Sequence, residues 1–206
     1  MSAKACGIHH HERRHRHLIA ALLIFTALVL FVILLIYLIL HPTKPQFILE
    51  NVTVYSFNAT SPHTLTSNIQ VTLISRNPNK NIGIYYEKLD VYGAYHGLQI
   101  TLSTRLPNTY QGHKDVSVWS PFLYGNEVPI APYLAAYLGE DQMAGVVLIK
   151  VKAIGRVRWK VSTFVSGRYR LNVNCNAYIS LGSKNSGFGV GHGVKYQLSQ
   201  KCNVDI

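Results

Sequence analysis

The stretch NIQVTL, residues 68–73, alternates polar and apolar side chains without interruption. Ile69, Val71 and Leu73 would share one face of a strand, because successive side chains of a β-strand point to opposite sides. The polar residues between them would share the other face. This pattern predicts a strand with one side in a core and the other in water.

The same period of two recurs along most of the chain beyond residue 45. Residues 98–103 repeat the alternation, and turn signals such as Asn77-Pro78-Asn79 and Gly155 separate the runs. Further runs predict strands at 46–57, 82–92, 114–122, 146–153, 156–162, 168–179 and 194–206. Residues 131–138, APYLAAYL, predict a helix, since Pro132 suits a first helical turn and Gly139 follows the last.

Short strands in this number, with turns every 8 to 12 residues or so, predict an all-β protein. The expected fold is an immunoglobulin- or fibronectin-like antiparallel β-sandwich with one short helix. Two tryptophans, Trp119 and Trp159, fall within the predicted strands. They are expected to fill or edge the core, although stacking on a sugar is the alternative.

One long apolar run precedes the predicted strands. Residues 18–40 contain no charged side chain, and at 1.5 Å per helical residue they suffice to cross a hydrocarbon core of roughly 30 Å. The run is longer than the core of a cleaved signal peptide, and no small-residue cleavage site follows it. It therefore predicts a single transmembrane helix that serves as an uncleaved signal anchor.

Charge on either side of this run predicts its orientation. A lysine and three arginines precede it, whereas Lys44 alone follows it closely, and positively charged flanks stay in the cytosol. The predicted organisation is a basic His-rich cytosolic tail (1–17), a transmembrane signal anchor (18–40), a linker (41–45) and an extracellular domain (46–206). This orientation places the C-terminal domain outside.

The tail contains HERRH at residues 11–15, which fits the zinc-protease pattern H-E-x-x-H. Histidines at i and i+4 share one helical face and can bind one ion. A catalytic zinc also needs a third ligand and a walled cleft, which a short tail beside a membrane anchor does not build. We interpret the string as a solvated basic flank. Cys6, in the same tail, is a candidate for acylation, and an ordinary reduced thiol is the alternative.

Residues 187–193, GFGVGHG, have a glycine spacing reminiscent of nucleotide-binding loops. A dinucleotide fingerprint follows a strand and opens a helix, whereas a strand pattern follows here, so a flexible loop is predicted. The histidines beyond the anchor are scattered, and no nucleophile motif such as G-x-S-x-G occurs. We therefore expect no enzymatic activity, no catalytic or metal-binding residues and no cofactor.

Two N-glycosylation sequons follow the anchor, at Asn51 and Asn58. An extracellular location would expose both to the glycosylation machinery. Asn51 lies closer to the membrane end, which makes Asn58 the better acceptor.

Cys175 and Cys202 are the cysteines outside the tail, and the predicted topology puts both in an oxidising compartment. Each falls in a late strand pattern, and neighbouring strands can bring α-carbons within the roughly 4.4 to 6.8 Å that a disulfide requires. A disulfide between them is predicted. The alternative is a pair of unbridged thiols buried as small apolar groups.

Several segments of the predicted extracellular domain carry a family resemblance. They are RNPNKNIGIYYEKLDVYGAYHG (76–97), YQGHKDVSVW (110–119), GRVRWKV (155–161), SGRYRLNVNC (166–175) and the ending VKYQLSQKCNVDI. With the basic tail and the anchor, they closely resemble the plant NHL proteins, the harpin-induced-like and non-race-specific-disease-resistance-like family, which carries a late-embryogenesis-abundant group 2 domain. The resemblance implies a β-sandwich at the plant plasma membrane, linked to pathogen and stress responses and, in some members, to plasmodesmata. It implies no catalytic residues.

The chain is basic, with 20 Lys and Arg against 9 Asp and Glu. Residues 150–170 hold several bases and no acid, and we call these bases the basic band. Its members are Lys150, Lys152, Arg156, Arg158, Lys160, Arg168 and Arg170. Most stand two positions apart, so each pair would project from one strand face.

The basic band predicts attraction to a polyanion, and a face that is merely soluble and basic is the alternative. Outside a plant cell the abundant polyanions are acidic wall polysaccharide and anionic lipid headgroups, so nucleic acid is not expected. The sequence favours a membrane-anchored, non-enzymatic protein of defence or stress signalling, or of contact between membrane and wall, with protein partners in that signalling. The alternative is a lipid- or ligand-carrying sandwich at the membrane or plasmodesmata, which a large apolar cavity between the sheets would favour.

Overall fold

The computed structural model describes residues 6–40, 42–61, 64–180 and 193–206. The chain divides into two compact units, Met1–His41 and Pro42–Ile206. The first unit contains α1 (Cys6–Leu40). Within α1, Arg16–Leu34 is long and apolar enough to cross a membrane, with a mean hydropathy of 2.9 and 0% of the window buried. A core helix would be largely buried, so this helix is compatible with a single-pass membrane anchor.

The second unit is built mainly of strands. They are β1 (Gln46–Ser61), β2 (Thr64–Arg76), β3 (Gly83–Tyr95), β4 (Leu98–Gln99), β5 (Thr104–Arg105), β6 (Thr109–Gln111), β7 (Val116–Trp119), β8 (Phe122–Pro129), β9 (Val146–Val161), β10 (Phe164–Val165), β11 (Tyr169–Ser180), β12 (Val194–Lys201) and β13 (Asn203–Asp205). A helix, α2 (Pro132–Ala144), separates β8 from β9.

The described strands form two antiparallel sheets. The five-stranded sheet has the order β12-β1-β2-β7, with β8 also paired to β2, and the eight-stranded sheet has the order β13-β11-β9-β3-β4, with β5, β6 and β10 at its margins. One continuous hydrophobic core takes side chains from both sheets, including Leu73 of β2 and Val157 of β9. This confirms the predicted antiparallel, sandwich-like all-β fold.

The alternation that identified the first strand is confirmed. Ile69, Val71 and Leu73 are fully buried, while the residues between them are half-buried on the outer face of β2. Burying each such side chain contributes roughly 1.5 to 3 kcal/mol. Trp119 and Trp159 are also buried, which confirms their assignment to the core.

Other predictions from the pattern were wrong. Residues 98–103 form a strand only at Leu98–Gln99, and Leu102 is 73% exposed. The strand predicted at 114–122 is split between β7 and β8. Helix α2 continues past Gly139 to Ala144. It ends there because Gly145 takes a left-handed φ of 75°, a conformation that glycine adopts without steric cost.

The turn predicted at Gly155 is wrong. Gly155 lies inside β9, which is a single strand. The neighbouring strand β3 changes register between Glu87 and Asp90. At this bulge a Cβ added to Gly155 would lie 2.9 Å from the α-carbon of Leu89. Glycine is therefore needed for close approach of two backbones and not for reversal of the chain.

The chain after residue 193 is two strands, not one. β12 pairs with β1 of the five-stranded sheet, whereas β13 pairs with β11 of the eight-stranded sheet. Cys202 lies between them, and its N–H donates to the carbonyl of Phe47 in β1. Its sulfur is joined to Cys175 of β11, with the two α-carbons 4.4 Å apart. The disulfide therefore anchors the segment between β12 and β13 to the eight-stranded sheet, and the Cys202 N–H anchors it to the five-stranded sheet.

Residues before β1 are built into the second unit. Thr43 exchanges two hydrogen bonds of 2.8 Å with the side-chain amide of Asn79, and Pro45 is buried. The segment predicted as a linker is thus partly folded with the sandwich. The glycine-rich stretch 187–193 lies outside the described residues except for Gly193, and the side chains of Cys6 and of HERRH at 11–15 are likewise outside the description.

We expect the disulfide to form in protein isolated from cells. Alkylation without reductant, followed by peptide mass spectrometry, should give a linked peptide pair containing Cys175 and Cys202. Because the bridge closes a loop with a sequence separation of 27, its reduction should lower stability by about 3 to 4 kcal/mol in the chain-entropy model.

A double variant, Cys175→Ala/Cys202→Ala, is the matched control. It should unfold at the lower temperature of the reduced protein and should not respond to reductant. Recovery of both cysteines with the alkyl label, from folded wild-type protein, would show that no bridge exists.

Candidate functional site

The basic band lies mainly on one strand. Along β9 the odd-numbered positions are buried and the even-numbered positions face outward, as the pleat of a strand requires. The outward positions include Lys150, Lys152, Arg156, Arg158 and Lys160. Arg168 immediately precedes the adjacent strand β11, and Arg170 lies at its start. The tertiary structure therefore gathers the whole band on the outer face of the eight-stranded sheet instead of dividing it between the sheets.

An uncharged row borders the lysine end of the band. Asn176 is opposite Lys150 and Asn174 is opposite Lys152 in the β9–β11 ladder. On the other side of β9, Tyr92 of β3 is opposite Lys152. Among the described residues, no carboxylate lies within ion-pair distance of either lysine. Their charges are consequently available to a ligand.

Two arginines of the band are compensated by one acid. Glu87 of β3 accepts from Arg168 at 3.0 Å and from Arg158 at 3.5 Å. Desolvation acts to raise the pKa of Glu87, but the hydrogen bonds and charges of Arg168 and then Arg158 outweigh it, so the pKa lies below its ordinary value. Arg158 and Arg168 thus contribute less to the outward field than the sequence suggested.

The last lysine of β9 contacts aromatic rings. The Nζ atom of Lys160 is 5.2 Å from the ring centroid of Tyr110 and 5.9 Å from that of Tyr85. The two rings are themselves 4.6 Å apart. This cation–π arrangement fixes the ammonium group over the aromatic pair.

An open hollow lies in the outer face beside the bulge of β3. Its volume is about 620 Å³. The lining residues are Lys88, Asp90, Arg105, Ile154, Gly155, Arg156, Arg168, Tyr169 and Arg170. Five of these residues are basic and one is acidic. We call this feature the basic hollow.

Two bases of the hollow do not belong to the basic band predicted from the sequence. Lys88 and Arg105 lie far along the chain from the basic band, and the fold brings them to it. Arg105 makes a bidentate contact with Asp90, at 2.8 and 3.1 Å, and the hydrogen bond and charge of Asp90 raise the pKa of the guanidinium. Lys88 has a φ of 50° at the bulge, a conformation that the alternation of a regular strand does not reveal.

Two arginines of the hollow stand directly opposite each other. Arg156 of β9 pairs with Arg170 of β11 in the ladder. Like charges at such cross-strand positions destabilise a sheet. No described carboxylate lies within ion-pair distance of either side chain. The pair therefore forms the uncompensated part of the hollow, where an anion would relieve the repulsion.

The two sequons lie on β1. Asn58 is exposed and Asn51 is half-buried. Attachment of glycan to either residue stays a prediction.

Comparison with known proteins identifies the family. The family model described as late embryogenesis abundant protein matches residues 72–177, which includes β3, the bulge and β9. NDR1/HIN1-like protein 1 of Arabidopsis thaliana is 50% identical over 208 residues, which cover 98% of this chain and 100% of the relative. The chain belongs to the NDR1/HIN1-like family of late embryogenesis abundant proteins.

Further NDR1/HIN1-like relatives from Arabidopsis thaliana agree. NDR1/HIN1-like protein 12 is 54% identical over 83% of this chain and 82% of its own length. NDR1/HIN1-like protein 26 is 43% identical over 87% of this chain and 85% of its own length. The resemblance inferred from the sequence segments is thus confirmed, and the chain is a plant defence- and stress-related protein of a family that is generally non-enzymatic.

Removal of the acid that compensates two arginines should strengthen polyanion binding. In the full chain in detergent, Glu87→Gln should raise affinity for dextran sulfate roughly two- to fivefold at pH 7, since exposed ion pairs are worth only a fraction of a tenfold factor each. Glu127→Gln, which removes an exposed carboxylate outside the described ion pairs, is the control and should change affinity less.

The same variant should alter the pH dependence of stability. Because the pKa of Glu87 is lowered by folding, its contribution is present above the ordinary value of 4.5 and is lost as pH falls through the lower folded-state value. Wild type should therefore unfold at a higher temperature than Glu87→Gln at pH 7, and the two should converge in acid. A difference that persisted unchanged below the folded-state pKa would contradict the assignment.

Proposed function

We propose that this protein is a plasma-membrane-anchored, non-enzymatic member of its family that attaches its extracellular β-sandwich to acidic cell-wall polysaccharide during defence or stress responses. The helix α1 would hold the chain in the bilayer, and the basic outer face of the eight-stranded sheet would hold the polymer. A contact of this kind joins the membrane to the wall without catalysing a reaction. Protein partners in defence signalling would act on the same tethered domain.

The observation that supports the proposal most directly is the uncompensated charge of one sheet face. Lys150, Lys152, Arg156 and Arg170 project from two adjacent strands. No described acid pairs with any of the four. A row of like charges on one flat face is complementary to a polymer that carries one charge on each repeat. Salt would screen such contacts, since the Debye length is about 8 Å at physiological ionic strength.

Charge reversal tests the proposal. The full chain in detergent micelles should bind immobilised polygalacturonate, and added salt should release it. The variant Lys150→Glu/Lys152→Glu should bind roughly five- to tenfold more weakly, because two attractive exposed contacts become repulsive.

Matched reversals on the other sheet provide the control. Lys195→Glu/Lys201→Glu changes the net charge equally, and both lysines lie exposed on β12 of the five-stranded sheet. This control should retain most of the binding. Equal losses in the two variants, or no binding by the wild type, would reject the attachment of polymer to the basic face.

The proposed orientation is tested by glycosylation. Asn58 should carry an N-linked glycan in plant cells, because the sandwich would pass through the secretory pathway. Enzymatic deglycosylation should increase gel mobility, and Asn58→Gln should remove most of that shift, with Asn51→Gln removing less.

Protease protection gives an independent measurement of topology. A C-terminal epitope should be digested on intact protoplasts, whereas an N-terminal epitope should be digested only after permeabilisation. The reverse protection pattern, together with an absent mobility shift, would place the sandwich in the cytosol and remove the wall polymer as a ligand.

A further inference from the structure

The basic hollow differs in shape and chemistry from the flat part of the basic face. Its volume of about 620 Å³ exceeds what a bare ion occupies. Ile154 lines the hollow beside the cationic side chains, and Ile154, Arg156 and Arg170 all occupy outward positions of β9 and β11. An apolar side chain beside guanidinium groups suits a ligand that has both an apolar ring face and a charge.

The charged part of the hollow is the opposed pair Arg156 and Arg170. Each guanidinium presents donors in a planar fork that matches the two oxygens of a carboxylate. Their cross-strand position in the β9–β11 ladder lets both forks approach one group from neighbouring strands. Lys88 adds a third charge from the bulge of β3.

The other polar groups of the hollow are already committed. Arg168 donates to Glu87, and Arg105 donates to Asp90. Both acids are therefore paired with an arginine, and Asp90 itself lines the hollow. A ligand anion would consequently meet Arg156, Arg170 and Lys88 first, with no described carboxylate paired to those three side chains.

We propose that the basic hollow is a discrete binding site for the carboxylate of an acidic sugar, a single uronate residue of the polymer or a short oligouronate. The carboxylate is held by Arg156 and Arg170, and the sugar ring lies against Ile154. This inference rests on the proposed function for its choice of an acidic saccharide. It adds that the hollow recognises the shape and charge of a single uronate, whereas Lys150 and Lys152 attract the polymer only by charge.

The test uses the full chain in neutral-lipid nanodiscs and measures binding by titration calorimetry. Digalacturonate should bind, and its uncharged counterpart digalactose should not, because the arginine forks require an anion. The variant Arg156→Gln/Arg170→Gln should lower digalacturonate affinity roughly tenfold or more, as expected for loss of charge-assisted hydrogen bonds. Arg76→Gln/Lys80→Gln removes two exposed cations distant from the hollow and should leave the affinity unchanged.

A conservative variant separates a fitted site from simple charge. Arg156→Lys/Arg170→Lys keeps both charges but loses the planar forks. It should bind digalacturonate several-fold more weakly while immobilised polygalacturonate is retained. Ile154→Ala should also weaken digalacturonate binding, because the apolar contact with the sugar ring is lost. Equal digalacturonate affinity in the wild type and the lysine variant would overturn the fitted site.

Two further outcomes would reject the inference and bear differently on the proposed function. If the hollow variants leave digalacturonate unaffected while Lys150→Glu/Lys152→Glu still releases polygalacturonate, the hollow is not the site but attachment to the wall polymer stands. If vesicles containing phosphatidylinositol 4-phosphate bind through Arg156 and Arg170 and digalacturonate does not, the site belongs to a lipid headgroup. Unchanged unfolding temperatures of the variants show that each result concerns binding.

Discussion

The buried amide of Asn77 is the contact on which one end of the sandwich depends. Its nitrogen donates to the carbonyls of Ile82 and Gly112, at 2.7 and 2.8 Å, and its oxygen accepts from the backbone and side chain of Asn79. Asn79 in turn holds Thr43, just before β1. The two asparagine side chains thus join the segment before β1, the β2–β3 connection and the loop after β6. Each of these groups would cost about 1 to 3 kcal/mol if left buried without a partner.

The same end contains a second polar contact, between Tyr86, Ser75 and Gln111. The Tyr86 hydroxyl lies 2.8 Å from that of Ser75 and donates to Gln111 at 2.9 Å, and burial raises the pKa of the phenol above its ordinary range. These contacts fix where β3 leaves the end of the sandwich. β3 then runs regularly as far as its bulge, where the extra residues open the basic hollow. The polar contacts at one end of β3 and the proposed binding surface at its bulge therefore lie on the same strand.

The basic band shows how far a periodic pattern can predict a site. The alternation correctly indicated that each pair, such as Lys150 and Lys152, projects from one strand face, because the pleat of a strand has a fixed period. That the pairs before and after Gly155 share one face follows only from the continuity of β9 through that glycine. The pattern could not show that Glu87 compensates Arg158 and Arg168, since that acid lies on a strand distant in sequence. Lys88 and Arg105 were missed for the same reason. The bulge that brings Lys88 to the hollow breaks the very period from which the strands were predicted.

The sequence by itself determined the apolar helix, the all-β class and the buried faces of the long strands, because these follow from local periodicity and from the length of one apolar run. The sequence also indicated the family, because the segments that resemble it occur in order along the chain. The tertiary structure alone decided that residues 194–206 form one strand in each sheet. It also placed Gly155 against Leu89 at the bulge of β3. It also decided that Arg156 and Arg170 stand opposite each other, and that Glu87, the neighbour of Arg156 on β3, pairs with Arg158 and Arg168 instead. Strand partners and register depend on contacts between residues far apart in the chain, which a local pattern does not encode.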